Sequence, residues 1–361
     1  MERQYTKSQT SKIKKLIVKP ILTDAEVSSK EGYFINNKDY KTVIDYDCDV
    51  YTRNNNNDDD EIKLLFKFRK NVIPEIECIN AYNALEKASK IMRNNRGAGA
   101  GLLNSQKLPK YVKQIVKRDK YRIYYIGKDG KPAKTHLSNY VASNIIGYYD
   151  LPDRNIFGKR HRGSKTVKRG TLKYPEPSLQ CRETSFNIKY PERWNHTLPL
   201  IKRIDKLFKE LLPDYHKQQL QMASITPNFQ IDGTAFSTAT INYNYRTALH
   251  KDRGDYENGF GNLIVLEKSK SARVSGGTYT GGFTGFYQYG IAVDVRQGDF
   301  LAMDVHQWHS NTEMEGANFG RLSLVCYLRK GMMKCATNHS RNKMRVETKD
   351  ALSTILQSEG E

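Results

Sequence analysis

An imidazole and a carboxylate stand two residues apart in His250-Lys251-Asp252, at the end of a run rich in β-formers over 236–250. Residues i and i+2 of an extended strand share a face, so both side chains can grip one ion. Two histidines and one carboxylate on one face of a metal, with open positions opposite, are the arrangement of non-haem Fe(II) oxygenases. A lone HxD pair is common and carries meaning only through its partners. Two further histidines, His306 and His309, lie in the segment 298–312 after a Gly-Asp turn. His309 is the expected third ligand, because Arg321 follows it at about one strand-turn-strand. His306 is then a neighbour that could orient a ligand. Arg321 and Ser323 again share a strand face. A guanidinium there would take the distal carboxylate of 2-oxoglutarate bidentately, and the hydroxyl would add a hydrogen bond. The set therefore implies Fe(II), 2-oxoglutarate and O2 as cofactors. The bland alternative is that the histidines satisfy a core and that Arg321 pairs with Asp299 or Asp304.

These residues need strands to hold them. Over 229–328 short β-rich runs alternate with glycine-rich turns, at 234–245, 261–266, 276–282, 289–295, 299–303 and 321–328. About eight such strands make a β-sandwich or jelly roll whose mouth can hold a metal. Before this core, 62–68 alternates as a strand, 74–93 has helical spacing through Ile76, Ile79, Tyr82, Leu85 and Ala88, and 198–222 reads as one buttressing helix. Leu16–Leu22 allows a short strand and 121–126 another, and a short helix is expected near 350–357. The fold class predicted is α+β, a double-stranded β-helix (jelly-roll) core with buttressing helices. The division expected is a basic, partly disordered extension over 1–60, a dioxygenase domain over 61–331 with its β-rich core at 229–331, and a basic tail over 332–361. The glycine run 97–102 lacks the Lys-Ser/Thr of a phosphate loop. It reads as a flexible loop beside the cleft.

Lys+Arg 59 against Asp+Glu 39 leaves a net charge of +20, with a sequence pI near 9.5. That balance suits a polyanionic partner, and nucleic acid comes before membrane because no basic amphipathic helix stands out. A Lys- and Asn-rich composition alone is the competing explanation. Residues 107–120 are dense in lysine. The zone 154–169 holds Lys159, Arg160, Arg162, Lys165, Lys168 and Arg169, a phosphate-tracking surface for a DNA backbone. No apolar run approaches the roughly 18 residues needed to span a bilayer, and the first residues lack the apolar stretch of a secretory leader. An intracellular location, cytoplasmic or nuclear and compatible with a virus or phage, is expected, as is a monomer. Five cysteines without CxxC spacing read as free thiols.

Over about 145–331 the chain resembles the TET/JBP-like Fe(II)/2-oxoglutarate dioxygenases, particularly their phage and viral members. The resemblance rests on Ile146-Gly-Tyr-Tyr-Asp150, Cys181-Arg-Glu-Thr-Ser-Phe186, Gly233-Thr-Ala-Phe-Ser-Thr238, Arg246-Thr-Ala-Leu-His-Lys-Asp252, Gly259-Phe-Gly-Asn-Leu263, Gly276-Gly277, Val293-Asp-Val-Arg-Gln-Gly-Asp299 and Trp308-His-Ser-Asn311. It implies oxidation of the 5-methyl group of a pyrimidine in DNA, with His250, Asp252 and His309 as iron ligands and Arg321 binding the oxo acid. Asp255 completes a pattern similar to that of a protist member in which the last acid contacts the cytosine amino group. A carboxylate accepts from cytosine N4 and repels thymine O4, so 5-methylcytosine is expected, with thymine as the alternative. Asn242, Tyr243 and Arg246 are further base-recognition candidates. A flipped base needs aromatic faces, for which Tyr243, Tyr245, Phe260 and Trp308 are available. A protein or nucleotide hydroxylase of the same fold, and a DNA-binding module with a degenerate metal site, are the competing functions.

Overall fold

The computed structural model describes residues 13–53, 62–103, 108–133, 136–152, 179–268, 279–316 and 319–333. In chain order the first strands are β1 (Lys14–Val18), β2 (Thr42–Ile44), β3 (Cys48–Arg53), β4 (Ile62–Arg69), β5 (Val112–Arg118), β6 (Ile123–Gly127), β7 (Ser143–Pro152) and β8 (Leu179–Glu183). The later ones are β9 (Thr238–Tyr243), β10 (Gly261–Glu267), β11 (Tyr279–Gly281), β12 (Thr284–Phe286), β13 (Ile291–Val293), β14 (Phe300–Met303), β15 (Ser310–Asn311), β16 (Met314–Gly316) and β17 (Arg321–Tyr327). The helices are α1 (Asp24–Ser29), α2 (Glu75–Ser89), α3 (Ser185–Lys189), α4 (Pro191–Leu211) and α5 (Pro213–Ala223).

A nine-stranded sheet in the order β1-β3-β4-β14-β10-β17-β9-β7-β8 faces a four-stranded sheet, β15-β12-β13-β2. These are the major and minor sheets of a double-stranded β-helix on an α+β plan. Period-2 alternation decides what each face of the major sheet does. Along β17, Leu322, Leu324 and Cys326 enter one cluster with α2 and α4, whose contributions include Leu85, Leu200, Ile204 and Phe208. Ser323, Val325 and Tyr327 point the other way and line a cavity between the sheets. Strand β9 does the same, with Ala239 and Ile241 towards the helices and Thr240 and Asn242 towards the cavity. Next to the cavity the sheets close on a second cluster. There Phe66 of β4 stacks on Phe286 of β12 with ring centroids 5.0 Å apart. Each such fully buried side chain contributes about 1.5–3 kcal/mol.

Several expectations change. Residues 14–53, expected to lie outside the domain, build it. β2 adds in parallel to β13 of the minor sheet, and β3 sits between β1 and β4 of the major one. Three or six residues flanked by polar chain are too short to stand out by periodicity. The single helix over 198–222 is two, because Pro213 cannot continue α4 and instead takes the first position of α5. In α2 the buried stripe is Cys78, Ala81, Tyr82, Leu85 and Ala88, while Ile76 faces solvent. Cys48, Cys78 and Cys326 are free and buried, but Cys181 is disulfide-bonded, a pairing through space that linear spacing does not reveal. The zone 154–169 and the helix near 350–357 lie outside the described residues, and among these no helix is long and apolar enough to cross a membrane.

Candidate metal and 2-oxoglutarate centre

Backbone pairing brings the two histidines together. His250 and His309 exchange both backbone hydrogen bonds, N to O at 3.0 Å in each direction, so their side chains emerge on one side. Their ring centroids are 4.4 Å apart. Asp252 N donates to Val305 O at 3.0 Å, outside the register of the His250–His309 pair, which fastens Asp252 to the turn before His309; its carboxylate lies between the rings. Asp252 Oδ1 lies 3.6 Å from His250 Nε2, and Oδ2 lies 3.6 Å from His309 Nε2. One ligand atom from each of the three residues falls within a 4.8 Å group.

Protonation suits a metal. His250 Nδ1 is 2.8 Å from Ala248 O and His309 Nδ1 is 2.9 Å from Gln307 O. A carbonyl accepts only, so each Nδ1 carries a proton to donate. Each Nε2 is the nitrogen turned towards Asp252, unprotonated on His250 and carrying on His309 a proton that an ion can replace. Burial and the neighbouring His309 ring push His250 down to about 4, so it is neutral. Burial works to raise the Asp252 carboxyl, but its close pairing with the His309 ring, with a further contribution from His250, prevails and holds it below the usual range. Burial likewise works to lower His309, and its bond to Asp252 outweighs that and raises it. An ion replacing that proton would meet an anionic carboxylate and two imidazole nitrogens. His306 does not join this group. Its Nδ1 lies 3.2 Å from Asp304 Oδ1, within the tight turn that also ties Gln307 to Asp304.

A cavity of about 250 Å³ opens from the three ligands. Asn242 and Ser323 are register partners on β9 and β17, and Asn242 Nδ2 donates to Ser323 Oγ at 3.3 Å. Arg321, two residues before Ser323 on the same face, is 2 % exposed. Its Nη2 donates to Gly282 O at 3.2 Å, yet its buried Nε has no partner, and neither Asp299 nor Asp304 pairs with it. A buried guanidinium with an unmet donor is costly unless a ligand completes it. A carboxylate delivered between Arg321 and Ser323 would do so. The residues present thus fit Fe(II) and 2-oxoglutarate.

Of the proposed base-recognition residues, Asp255 and Asn242 line the cavity. Burial, and then the charge of Asp252, raise the Asp255 carboxyl well above its ordinary value. Tyr243 and Arg246 are corrected: neither is a lining residue. The ring of Tyr243 carries the Lys90 ammonium 4.8 Å from its centroid. Arg246 pairs with Glu313 at 3.0 Å and donates to Ile35 O and Asn36 Oδ1, fastening the N-terminal segment. Tyr243 is the last residue of β9 and, alternating with Asn242, turns to the helix side of the sheet, whereas Arg246 lies beyond the strand, where alternation no longer predicts direction. Among the aromatics, Tyr245 borders the cavity and its hydroxyl donates to Gly99 O. Phe260 packs on Tyr215 with centroids 4.6 Å apart, and Trp308 is buried beside Leu249.

Three lining residues come from chain far upstream. Asn95, Arg96 and Gly99 approach from the segment after α2. The glycine run lies beside the cleft as expected, but as an ordered 3-10 turn: Ala248 N donates to Gly99 O at 2.9 Å. Arg96 Nη2 reaches Asn144 O and Thr240 Oγ1 only at 3.4 Å each, and its buried Nε has no partner. Arg329, by contrast, is paired to Asp150. The only sequence signal for Arg96 is its place next to glycines that permit close backbone approach.

Residues 172–330 match the family model Tet_JBP, described as the oxygenase domain of the 2OGFeDO superfamily. The chain is 29% identical over 283 residues to the thymine dioxygenase JBP1 of Trypanosoma brucei brucei, covering 76% of this chain and 29% of that protein. It is 36% identical over 166 residues to the bifunctional helicase and thymine dioxygenase JBP2 of Leishmania major, covering 45% of this chain and 14% of that one. The chain thus spans less than a third of the length of these relatives. A solved structure of NgTET1 in complex with 5mC DNA superposes with a TM-score of 0.44 at 10% identity, over 86% of this chain and 93% of the other.

Proposed function

We propose, from the match of residues 172–330 to the Tet_JBP oxygenase domain of the 2OGFeDO superfamily, that this chain is an Fe(II)/2-oxoglutarate-dependent dioxygenase oxidising the 5-methyl group of a pyrimidine in DNA. The observation that carries the reading is the convergence of His250, Asp252 and His309 beside a buried Arg321 whose Nε lacks a partner. Bound there, Fe(II) with O2 and the oxo acid supplies the oxidising power: one O2 and one 2-oxoglutarate become succinate, CO2 and the oxygen inserted into a methyl C–H.

The chain's own residues do the rest. His250 and His309 present Nε2 because Ala248 O and Gln307 O hold their Nδ1 protons. Arg321 and Ser323 fix the far carboxylate, so the reactive end of the oxo acid is held towards the three ligands. Asp255, Arg96 and Tyr245 border the remaining space, which is walled by sheet on both sides. A methyl group in the major groove of a stacked duplex cannot enter such a cleft, so the nucleotide must leave the helix.

The names of the JBP1 and JBP2 relatives support thymine as the base. An ionised Asp255 would favour methylcytosine through its N4 amino group. Burial pushes Asp255 towards its neutral form, which can donate to the O4 of thymine instead. The test is incubation with Fe(II), 2-oxoglutarate and DNA containing either thymine alone or added 5-methylcytosine, followed by nucleoside mass spectrometry. Hydroxymethyluracil from both DNAs is the expected result. Hydroxymethylcytosine alone would reverse the base assignment, and no oxidised pyrimidine from either would sink the proposal.

A further inference from the structure

Outside the two main sheets, β5 and β6 form an isolated antiparallel ribbon. All of β5 except Val112 is exposed. From Lys110 to Lys131 the chain carries eight basic residues (Lys110, Lys113, Lys117, Arg118, Lys120, Arg122, Lys128 and Lys131), and every one is exposed. The same stretch has two acids, Asp119 and Asp129, and both are taken up by their own turns. Asp119 Oδ1 accepts from Tyr121 N and Arg122 N at 2.8 and 2.7 Å, and Asp129 Oδ1 accepts from Lys131 N at 3.2 Å. Apolar and aromatic surface is interleaved with the cations: Val116 is 61 % exposed, Tyr111 46 % and Tyr124 40 %.

A lone two-stranded hairpin is marginal in water, and this one is held by its turn end. Ile123 is fully buried and pairs with Leu137 through backbone bonds of 3.0 and 2.9 Å. Leu103 N donates to Lys120 O at 3.0 Å, and the Tyr121 ring packs directly on Gly32. That anchorage belongs to the rim of the cleft. The 97–102 segment continues into it, and Asn139 Nδ2 clamps its carbonyls at Ala100, Gly101 and Leu102. In the same segment the α-carbon of Gly99 sits beside the His250 ring, so that a methyl there would lie 3.5 Å from Nε2. On the other side Glu31 O accepts from Tyr121 Oη at 3.5 Å, and the Glu31 carboxylate pairs with Arg253, the neighbour of Asp252, at 3.3 Å.

We propose that the β5–β6 ribbon is a duplex-binding arm that lies along the DNA next to the base being oxidised, its cations on phosphates and its apolar residues against the groove wall. The proposal rests on the DNA-acting reading above. A two-stranded ribbon is one of the two elements that the major groove admits. Seven residues of β5 span roughly 20 Å, and so about six base pairs at ~3.4 Å each. The arm supplies sequence-independent affinity, which leaves discrimination to the cavity.

The test uses the full chain without metal and a short labelled duplex, with fluorescence anisotropy read across a salt series. The triple variant Lys113→Gln/Lys117→Gln/Arg122→Gln is expected to bind about tenfold or more weaker at low salt, with the slope of log K against log[salt] shallower by about 2–3. Unchanged affinity and slope, or a wild-type chain that does not bind duplex at all, overturns the proposal. On the unaltered protein, Lys113 and Lys117 should be shielded from acetylation when duplex is present. Equal acetylation with and without DNA overturns it as well, whatever the variant's folding. Product analysis separates the two readings. Oxidised pyrimidine with an unshielded ribbon sinks the arm alone, whereas a shielded ribbon without product sinks the oxygenase reading and keeps the arm.

Discussion

The floor and the rim of the cavity are built in different ways. Every floor residue stands on a sheet strand or on backbone paired like one. Arg321 and Ser323 lie on β17, Asn242 lies opposite on β9, and His250 and His309 exchange both backbone bonds. Rim residues come from connections: Arg96 and Gly99 follow α2, and Asp255 sits in the turns after Asp252. On the floor, register sets direction, and a shift by one residue would turn Ser323 out of the cavity and Arg321, buried beside it on the same strand face, with it. On the rim, direction comes from contacts between segments that are distant in sequence, such as Gly99 O with Ala248 N. Sites on strands can hold geometry for chemistry, while connections can vary to choose a substrate. In this molecule the oxidising machinery belongs to the floor and base selection to the rim.

The largest effects should come from the floor. His309→Ala should abolish iron-dependent turnover, a loss beyond the ~10–100-fold expected when only an orienting partner is removed. His306→Ala should retain turnover, since its imidazole faces Asp304. Iron content and succinate formation read both, and the reverse order of effects would move the third ligand to His306. Next comes Arg321→Gln. Loss of charge-assisted hydrogen bonds of about 1.5–3 kcal/mol should raise the KM for 2-oxoglutarate by roughly 10–100-fold. The ligand-free protein should unfold at no lower temperature, because a buried donor without a partner has been removed. An unchanged KM would place the oxo acid elsewhere.

The same contrast explains which parts of the site are legible in the amino-acid sequence. His250, Asp252, Arg321 and Ser323 obey strand alternation, so their shared faces follow from numbering alone. The nearness of His309 to them is suggested only by order along the chain, and its backbone exchange with His250 supplies the reason. Tyr243 follows Asn242 on β9, so alternation itself turns it to the opposite face, while Arg246 lies beyond the end of the strand, where numbering no longer gives direction. Arg96 is hidden because nothing in Arg96-Gly97-Ala98-Gly99 encodes the residues it meets some 150 positions later. The strands β2 and β3 leave no clear mark in the sequence because pairing partners, not composition, make so short a segment a strand.

A rim residue should move the constant for DNA where the floor residue Arg321 moves the one for 2-oxoglutarate. Arg96 offers an unpartnered, buried Nε to the cavity and has no acid as an ion-pair partner among the described residues. Arg96→Gln should raise the KM for DNA about tenfold, the value of one charged hydrogen bond, and leave the KM for 2-oxoglutarate unchanged. Iron binding should also be unaffected. If both KM values rise together, Arg96 belongs with Arg321, and the division between floor and rim fails at that position.

The smallest effect sharpens the comparison within a single turn. A methyl at Gly99 would meet His250 Cδ2 and Nε2 at 3.5 Å and Tyr245 Oη at 3.6 Å, which are ordinary contacts, and the backbone there is not left-handed. Gly99→Ala should therefore fold, with stability unchanged or raised by about 0.4–1 kcal/mol through the less flexible unfolded chain. The methyl would stand beside the nitrogen that faces the metal, so turnover should fall a few-fold. Two residues on, Gly101 has φ 82°, and a methyl there would come within 2.7 Å of the Phe34 ring. Gly101→Ala should instead lose more than about 1 kcal/mol of stability, with any loss of turnover following the unfolded fraction. Thermal unfolding and turnover measured on both variants decide the matter. If Gly99→Ala also lowers the melting temperature, the glycine run serves to close the fold, and its place beside His250 is incidental to the chemistry.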